Sequence, residues 1–370
     1  MTTSNPFFDK PILNSPYVRP ARHWELDEHG QPTQKIVERR RAVSFITPIP
    51  KPKKHKSKDK QKGFVFDEGK GLSTEQQQYD TTPIINEVRG HVEAWRSLPN
   101  SSQWQVTPET ARLLTHWRHH EFASIRPFFC QVEAVETAIW LTEVAPHSQH
   151  GRRLLDHLAR ANKDANPELM RMALKLATGA GKTTVMAMLI AWQTVNAVRR
   201  PGAKNFTKGF LVVTPGITIK DRLRVLQPND PDSYYAGREL VPGDMLGHIR
   251  EARIVITNYH AFKLRERLEL SKGGRLLLQG RVGEELQTLE TEGQMLQRVM
   301  PELMGMKNIL ALNDEAHHCY REKPPEEDDE PLKGDDRKLA QDENEAARPL
   351  LAALSRCGTK NAKDLRSAYP

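Results

Sequence analysis

Apolar positions along the chain follow two periods. Near residues 82–96, Ile84, Ile85, Val88, Val92 and Trp95 recur every three or four residues, the spacing of one helical face. Pro99-Asn100-Ser101 ends that helix, and Pro108 opens another with Leu113, Leu114 and Trp117 on one side. A third helix is predicted over 132–144. Downstream the period changes. Short, mostly apolar runs at 172–177, 209–214, 252–257 and 308–313 read as strands buried on both faces of a parallel sheet. A helix over 184–198 separates the first two. Residues 227–247 hold many Pro, Asp and Gly and read as a loop insertion. Residues 263–306 read as a second insert, broken at Gly273-Gly274, with helical spacing over 284–303. Strands alternating with helices predict an α/β fold.

The first 80 residues lack either period. Pro32, Pro48, Pro50 and Pro52 interrupt any helix there, and only 33–43 offers a short helix or strand. The predicted organisation is an irregular arm over 1–80, a helical lead-in over 81–124, and an α/β lobe over 125–370 carrying the 263–306 insert. Mean hydropathy of −0.64 agrees that part of the chain lies outside a core. Net charge is +8, but seven lysines between Lys51 and Lys62 supply most of it. That run suits non-specific contact with phosphates or a solvated basic linker, so basicity does not locate a nucleic-acid groove elsewhere. Cys130, Cys319 and Cys357 share no metal or redox spacing, which points to a reducing cytoplasm. The N-terminus has no signal-peptide core, and the longest uncharged apolar-rich stretch, 183–198, is too short and polar to span a bilayer.

The chemistry concentrates at strand ends. Ala177-Thr178-Gly179-Ala180-Gly181-Lys182-Thr183-Thr184 joins the first predicted strand to a helix. Glycines let successive N–H groups turn toward one anion, and the helix N-terminus adds its positive dipole end. Lys182 would reach the β- and γ-phosphates, and the Thr183 hydroxyl would ligate Mg²⁺. The strict pattern asks for glycine where Leu176 stands. Upstream, Arg126-Pro127-Phe128-Phe129-Cys130-Gln131 places an amide able to meet the N6 and N7 edge of adenine, or simply a glutamine in a helix's first turn. Thr214 and Pro215 end one strand; Asn258 and His260 follow another, where phosphate contact and ordinary turn chemistry are both open. The last strand runs into Asp314-Glu315-Ala316-His317. Asp314 is placed to hold Mg²⁺, and Glu315 to orient or deprotonate the attacking water. His317 would sense the γ-phosphate. His317, His318 and Cys319 lack the second cluster that a zinc site needs.

Together, Arg126 to Gln131, Ala177 to Thr183, Thr214-Pro215, 256–262, Glu292 to Leu296 and 312–320 resemble the helicase part of type III restriction enzyme Res subunits, a branch of superfamily 2. The resemblance covers about 120–320. It implies a RecA-like P-loop lobe with a central parallel sheet, ATP and Mg²⁺ as cofactors, and hydrolysis coupled to translocation on double-stranded DNA. It also implies a methyltransferase partner and a nuclease domain far downstream. The stretch Asp364 to Pro370 is similar to the family's Asp-Leu-Ser-Ala-Thr-Pro, with one extra residue and Tyr369 for Thr. The expectation is therefore a chain truncated after its first motor lobe. Its alternative is a nucleotide-dependent module to which another chain supplies the second lobe.

Overall fold

The structure is a computed structural model that describes residues 6–43, 82–165, 170–265 and 290–314. The lysine run at 51–62, Glu315, His317, Cys319, Cys357 and the tail at 364–370 lie outside the described residues. The chain divides after Leu98 into two compact units.

In the first unit, a short helix α1 (Pro6–Asp9) precedes an antiparallel pair, β1 (His23–Leu26) and β2 (Pro32–Val37). This is more order than the proline-rich sequence suggests. Asp27 explains part of it, because its carboxylate accepts from the backbone of His29 and Gln31 and closes the turn at 2.9 and 2.8 Å. Trp24 anchors the pair. It is buried, meets Phe7 edge-on, and donates its indole N–H to Lys10 O. Helix α2 (Thr82–Arg96) buries Val88, Val92 and Trp95, the predicted stripe. Asn86 grips the Val43 backbone through both amide atoms, at 2.8 and 2.9 Å.

Among the described residues, the second unit is built on a three-stranded parallel sheet in the order β4-β3-β5: β3 (Gly209–Thr214), β4 (Arg253–Asn258) and β5 (Leu310–Asn313). Every residue of the central strand β3 is buried, as the continuous apolar run predicts. Before the sheet come α3 (Pro108–His119), α4 (Phe129–Ile139), α5 (Gln149–Ala165) and α6 (Lys182–Arg199). A wide π-turn, Trp140–Val144, extends α4. Helix α6 is buried without a break from Thr184 to Asn196, so its sequence is apolar nearly all round rather than striped. It packs against α3, α4, α8 (Tyr234–Gly237) and α9 (Leu246–Ile249), the last two following α7 (Ile217–Arg222). Beneath the sheet, Leu211 and Val213 meet Tyr259, Phe262 and the helix α10 (Glu292–Val299) through Met295 and Leu296. Helix α10 is thus the described part of the helix expected over 284–303, and residues 284–289 lie outside the described set.

One expected strand is not formed. Residues 170–177 carry no regular secondary structure and are mostly exposed; Met170 is 57% and Met172 48% accessible. Arg171 and Lys175 punctuate the run, and a strand covered on both faces would have to take those charges out of water. The 227–247 stretch also differs from expectation. It folds into α8, one tight 3₁₀ turn (Gly243–Met245) and the start of α9, with α8 and α9 packed on α6, rather than leaving the body as a loop.

Candidate functional site

The loop before α6 has its own geometry even without a strand behind it. Ala180 N–H donates to Ala177 O at 3.1 Å, closing a turn over Thr178 and Gly179. Gly179 and Gly181 have φ of +80° and +76°, a region that side chains disfavour. Gly181 caps α6, so Lys182 and Thr183 form its first turn, the part of a helix whose N–H groups point away from the intrahelical ladder. Gln131 replaces the missing strand as the loop's support. Its Oε1 accepts from Phe128 N–H at 2.9 Å, and its Nε2 donates to Ala180 O at 2.8 Å. A primary amide keeps one further lone pair and one further N–H after those two bonds. Base reading by Gln131 therefore has to use the remaining pair.

A pocket of about 260 Å³ opens here. Of the expected set, Arg126, Gln131, Gly179, Gly181, Thr183 and Thr184 line it, joined by Phe128; Thr178, Ala180 and Lys182 belong to the loop and helix start without lining the cavity. Arg126 is exposed and Thr184 buried. Across the pocket stand Tyr234 and Arg238, which sequence reasoning missed. Arg238 lies flat on the Tyr234 ring, 3.6 Å from its centre. It donates to the Thr184 hydroxyl at 3.1 Å and to the Tyr234 hydroxyl at 2.7 Å. The only trace in sequence is Tyr-x-x-x-Arg spacing inside a stretch that otherwise reads as loop.

The sheet brings the remaining residues to one edge. Asp314 N–H donates to Val213 O at 2.9 Å, continuing the β3–β5 ladder by one residue. The Lys182 ammonium lies 4.0 Å from the Asp314 carboxylate, so the two distant motifs meet. Thr214 and Asn258 are register partners at the ends of β3 and β4. Thr214 is buried and donates to Gly216 O; Pro215 is half-buried. Asn258 caps the turn Tyr259–Phe262 by accepting from Ala261 N–H at 2.9 Å, while His260 is exposed against the Tyr259 ring.

The sequence model of the family described as "Type III restriction enzyme, res subunit" matches residues 124–340, more than half of the chain. The chain belongs to this family. Comparison with curated proteins and with solved structures gave no match. The Res-type match begins just before Arg126 and includes the loop, the sheet and Asp314, so every residue lining the pocket lies within it. Membership makes the second unit a helicase-like, ATP-dependent motor domain of the hydrolase class. Among the described residues of this Res-type chain, no helix is long and apolar enough to cross a membrane, and no cluster of His, Cys, Asp and Glu suits a metal ion.

Proposed function

We propose that this chain binds ATP with Mg²⁺ in the pocket at the α6 N-terminus and acts as the ATP-hydrolysing motor lobe of a restriction-type DNA helicase subunit. The observation that carries this is the meeting of Lys182 with Asp314, 4.0 Å apart, at a loop whose Gly179, Gly181 and Thr183 line a pocket with Arg126 and Gln131. The loop amides and Lys182 bind the β- and γ-phosphates. Arg126 and Gln131 take the base. Thr183 and Asp314 supply the hard oxygen ligands that suit Mg²⁺, which when bound would neutralise charge on the phosphates. Glu315 orients the attacking water, and His317 relays the state of the γ-phosphate. Thr214, Pro215, Asn258 and His260, at the C-terminal edge of the sheet, contact the backbone of double-stranded DNA. A methyltransferase subunit is the partner that this reading implies.

The test is nucleotide binding by calorimetry, with hydrolysis measured with and without duplex DNA. Lys182→Ala should remove ATP binding, and Asp314→Asn should remove the Mg²⁺ dependence of whatever binding and hydrolysis the chain shows. Tight ATP binding by folded Lys182→Ala protein would place the nucleotide elsewhere.

A further inference from the structure

The segment following α8 is held in a way that a passive connector does not need. Glu239 sits in the left-handed region at φ +52°, a conformation costly for a residue with a side chain. Three side chains of α3 and its cap hold it there. His116 Nε2 lies 2.6 Å from Glu239 O, Trp117 donates to Leu240 O at 2.8 Å, and His120 pairs with the Glu239 carboxylate at 2.8 Å. A carbonyl only accepts, so His116 carries its proton on Nε2. The residue this clamp presents is Arg238. Its guanidinium is stacked on Tyr234 and bonded to Thr184, in the first turn of α6. Among the described residues, no carboxylate pairs with it. A half-buried cation held beside the positive end of a helix is unfavourable until an anion arrives.

We propose that Arg238 is a phosphate clamp of the nucleotide site, supplied by the same lobe, which binds the nucleotide's phosphate chain in addition to Lys182. This inference rests on the nucleotide reading of the pocket and adds a cation to it. Tyr234 orients the guanidinium plane, and the clamp on Glu239 sets its distance from α6. The fork of an arginine suits a phosphate, and with one Nη committed to Thr184 and the other to Tyr234 its orientation is fixed before the ligand binds. A cation on the base alone would not need the bond to Thr184, since that hydroxyl stands at the phosphate end of the pocket.

The experiment compares ATP, adenosine and inorganic tripolyphosphate, each with Mg²⁺, on the full chain and on Arg238→Ala and Arg238→Lys. Thermal melting confirms that the variants fold. Arg238→Ala should weaken ATP and tripolyphosphate alike, by about ten- to a hundredfold, the range for hydrogen bonds to charged groups. Adenosine should bind all three proteins equally. Arg238→Lys should recover only a minor part of the loss, because a point charge still attracts a phosphate but lacks the fork and the stacking on Tyr234. Unchanged tripolyphosphate binding in Arg238→Ala overturns the clamp, and so does a loss confined to adenosine, which would make Arg238 a stacking platform. If the wild-type chain binds ATP and only the Arg238 variants fail to differ, this inference falls alone. If the folded wild-type chain binds neither ATP nor tripolyphosphate, the nucleotide reading falls with it.

Discussion

Gly181 leaves no room for a side chain. A Cβ there would meet Gln131 Nε2 at 2.3 Å, on a backbone already at φ +76°. Gly181→Ala therefore carries about 1–2 kcal/mol of left-handed strain and also pushes Gln131 off Ala180. Gln131→Ala removes the loop's support differently, giving up two hydrogen bonds at about 1 kcal/mol each. Because the two changes share one clash, they should not add. Urea melts of the single and double variants should show a double variant less destabilised than the sum. Strict additivity would mean that Gln131 does not support the loop.

At the level of elements, the polar knot joining α3, the π-turn after α4, and α6 is the clearest case of a buried network. Glu143 accepts from the Thr110 hydroxyl at 2.8 Å, the Trp192 indole at 2.7 Å and the Thr107 backbone at 2.8 Å. Asn196 adds a bond to Thr110 at 2.9 Å. Burial pushes the Glu143 carboxyl above its ordinary range, and these three donors pull only part of it back. A carboxyl raised in the folded state stabilises most below its unfolded pKa, and that contribution is lost as pH rises through the folded value. Glu143→Gln cannot titrate. Its amide also sets an N–H against one of three donors, which costs about 1–3 kcal/mol. Denaturant melts at several pH values should show the wild-type advantage shrinking from about pH 4.5 upward. A pH-independent gap would mean that Glu143 keeps an ordinary pKa. The ion pair of Arg118 with Glu136, 2.7 Å apart and with side chains 9% and 0% exposed, sits nearby. Glu136→Ala should cost about 3–5 kcal/mol, because the Arg118 cation stays buried.

Legibility at this scale followed how local the cause is. Strand β3 and helix α6 stand where their apolar runs predict, because burial on all sides writes itself into consecutive residues. The run before the loop at 177–184 has similar composition but stays exposed, since pairing depends on neighbours that its own pattern does not specify. Asp314 and Lys182 were legible as motifs, and only the β3–β5 register put them 4.0 Å apart. Arg238 was not legible. Its role comes from α3 holding Glu239, 119 positions from His120 in sequence, and no short-range pattern encodes that contact.

For the molecule as a whole, ligand binding should read out as stability. The pocket draws on residues 125–131, 179–184 and 234–238, which are far apart in the chain and meet only when the second unit is folded. A ligand that binds this arrangement and not the unfolded chain shifts the folding equilibrium by mass action. At a hundred times its dissociation constant, ATP with Mg²⁺ would add about 2.7 kcal/mol, which is about 5–10 °C in melting temperature for a domain of this size. The shift should disappear in Lys182→Ala and shrink in Arg238→Ala. Hydrogen exchange on the same samples should show new protection gathered on those three segments. Helix α10 packs on Leu211 and Val213 of β3 and contributes nothing to the pocket lining, so its protection should rise only as far as global unfolding is slowed. A melting shift that survives in Lys182→Ala, or protection centred on α10, would place the ligand elsewhere and overturn the assignment of the loop before α6.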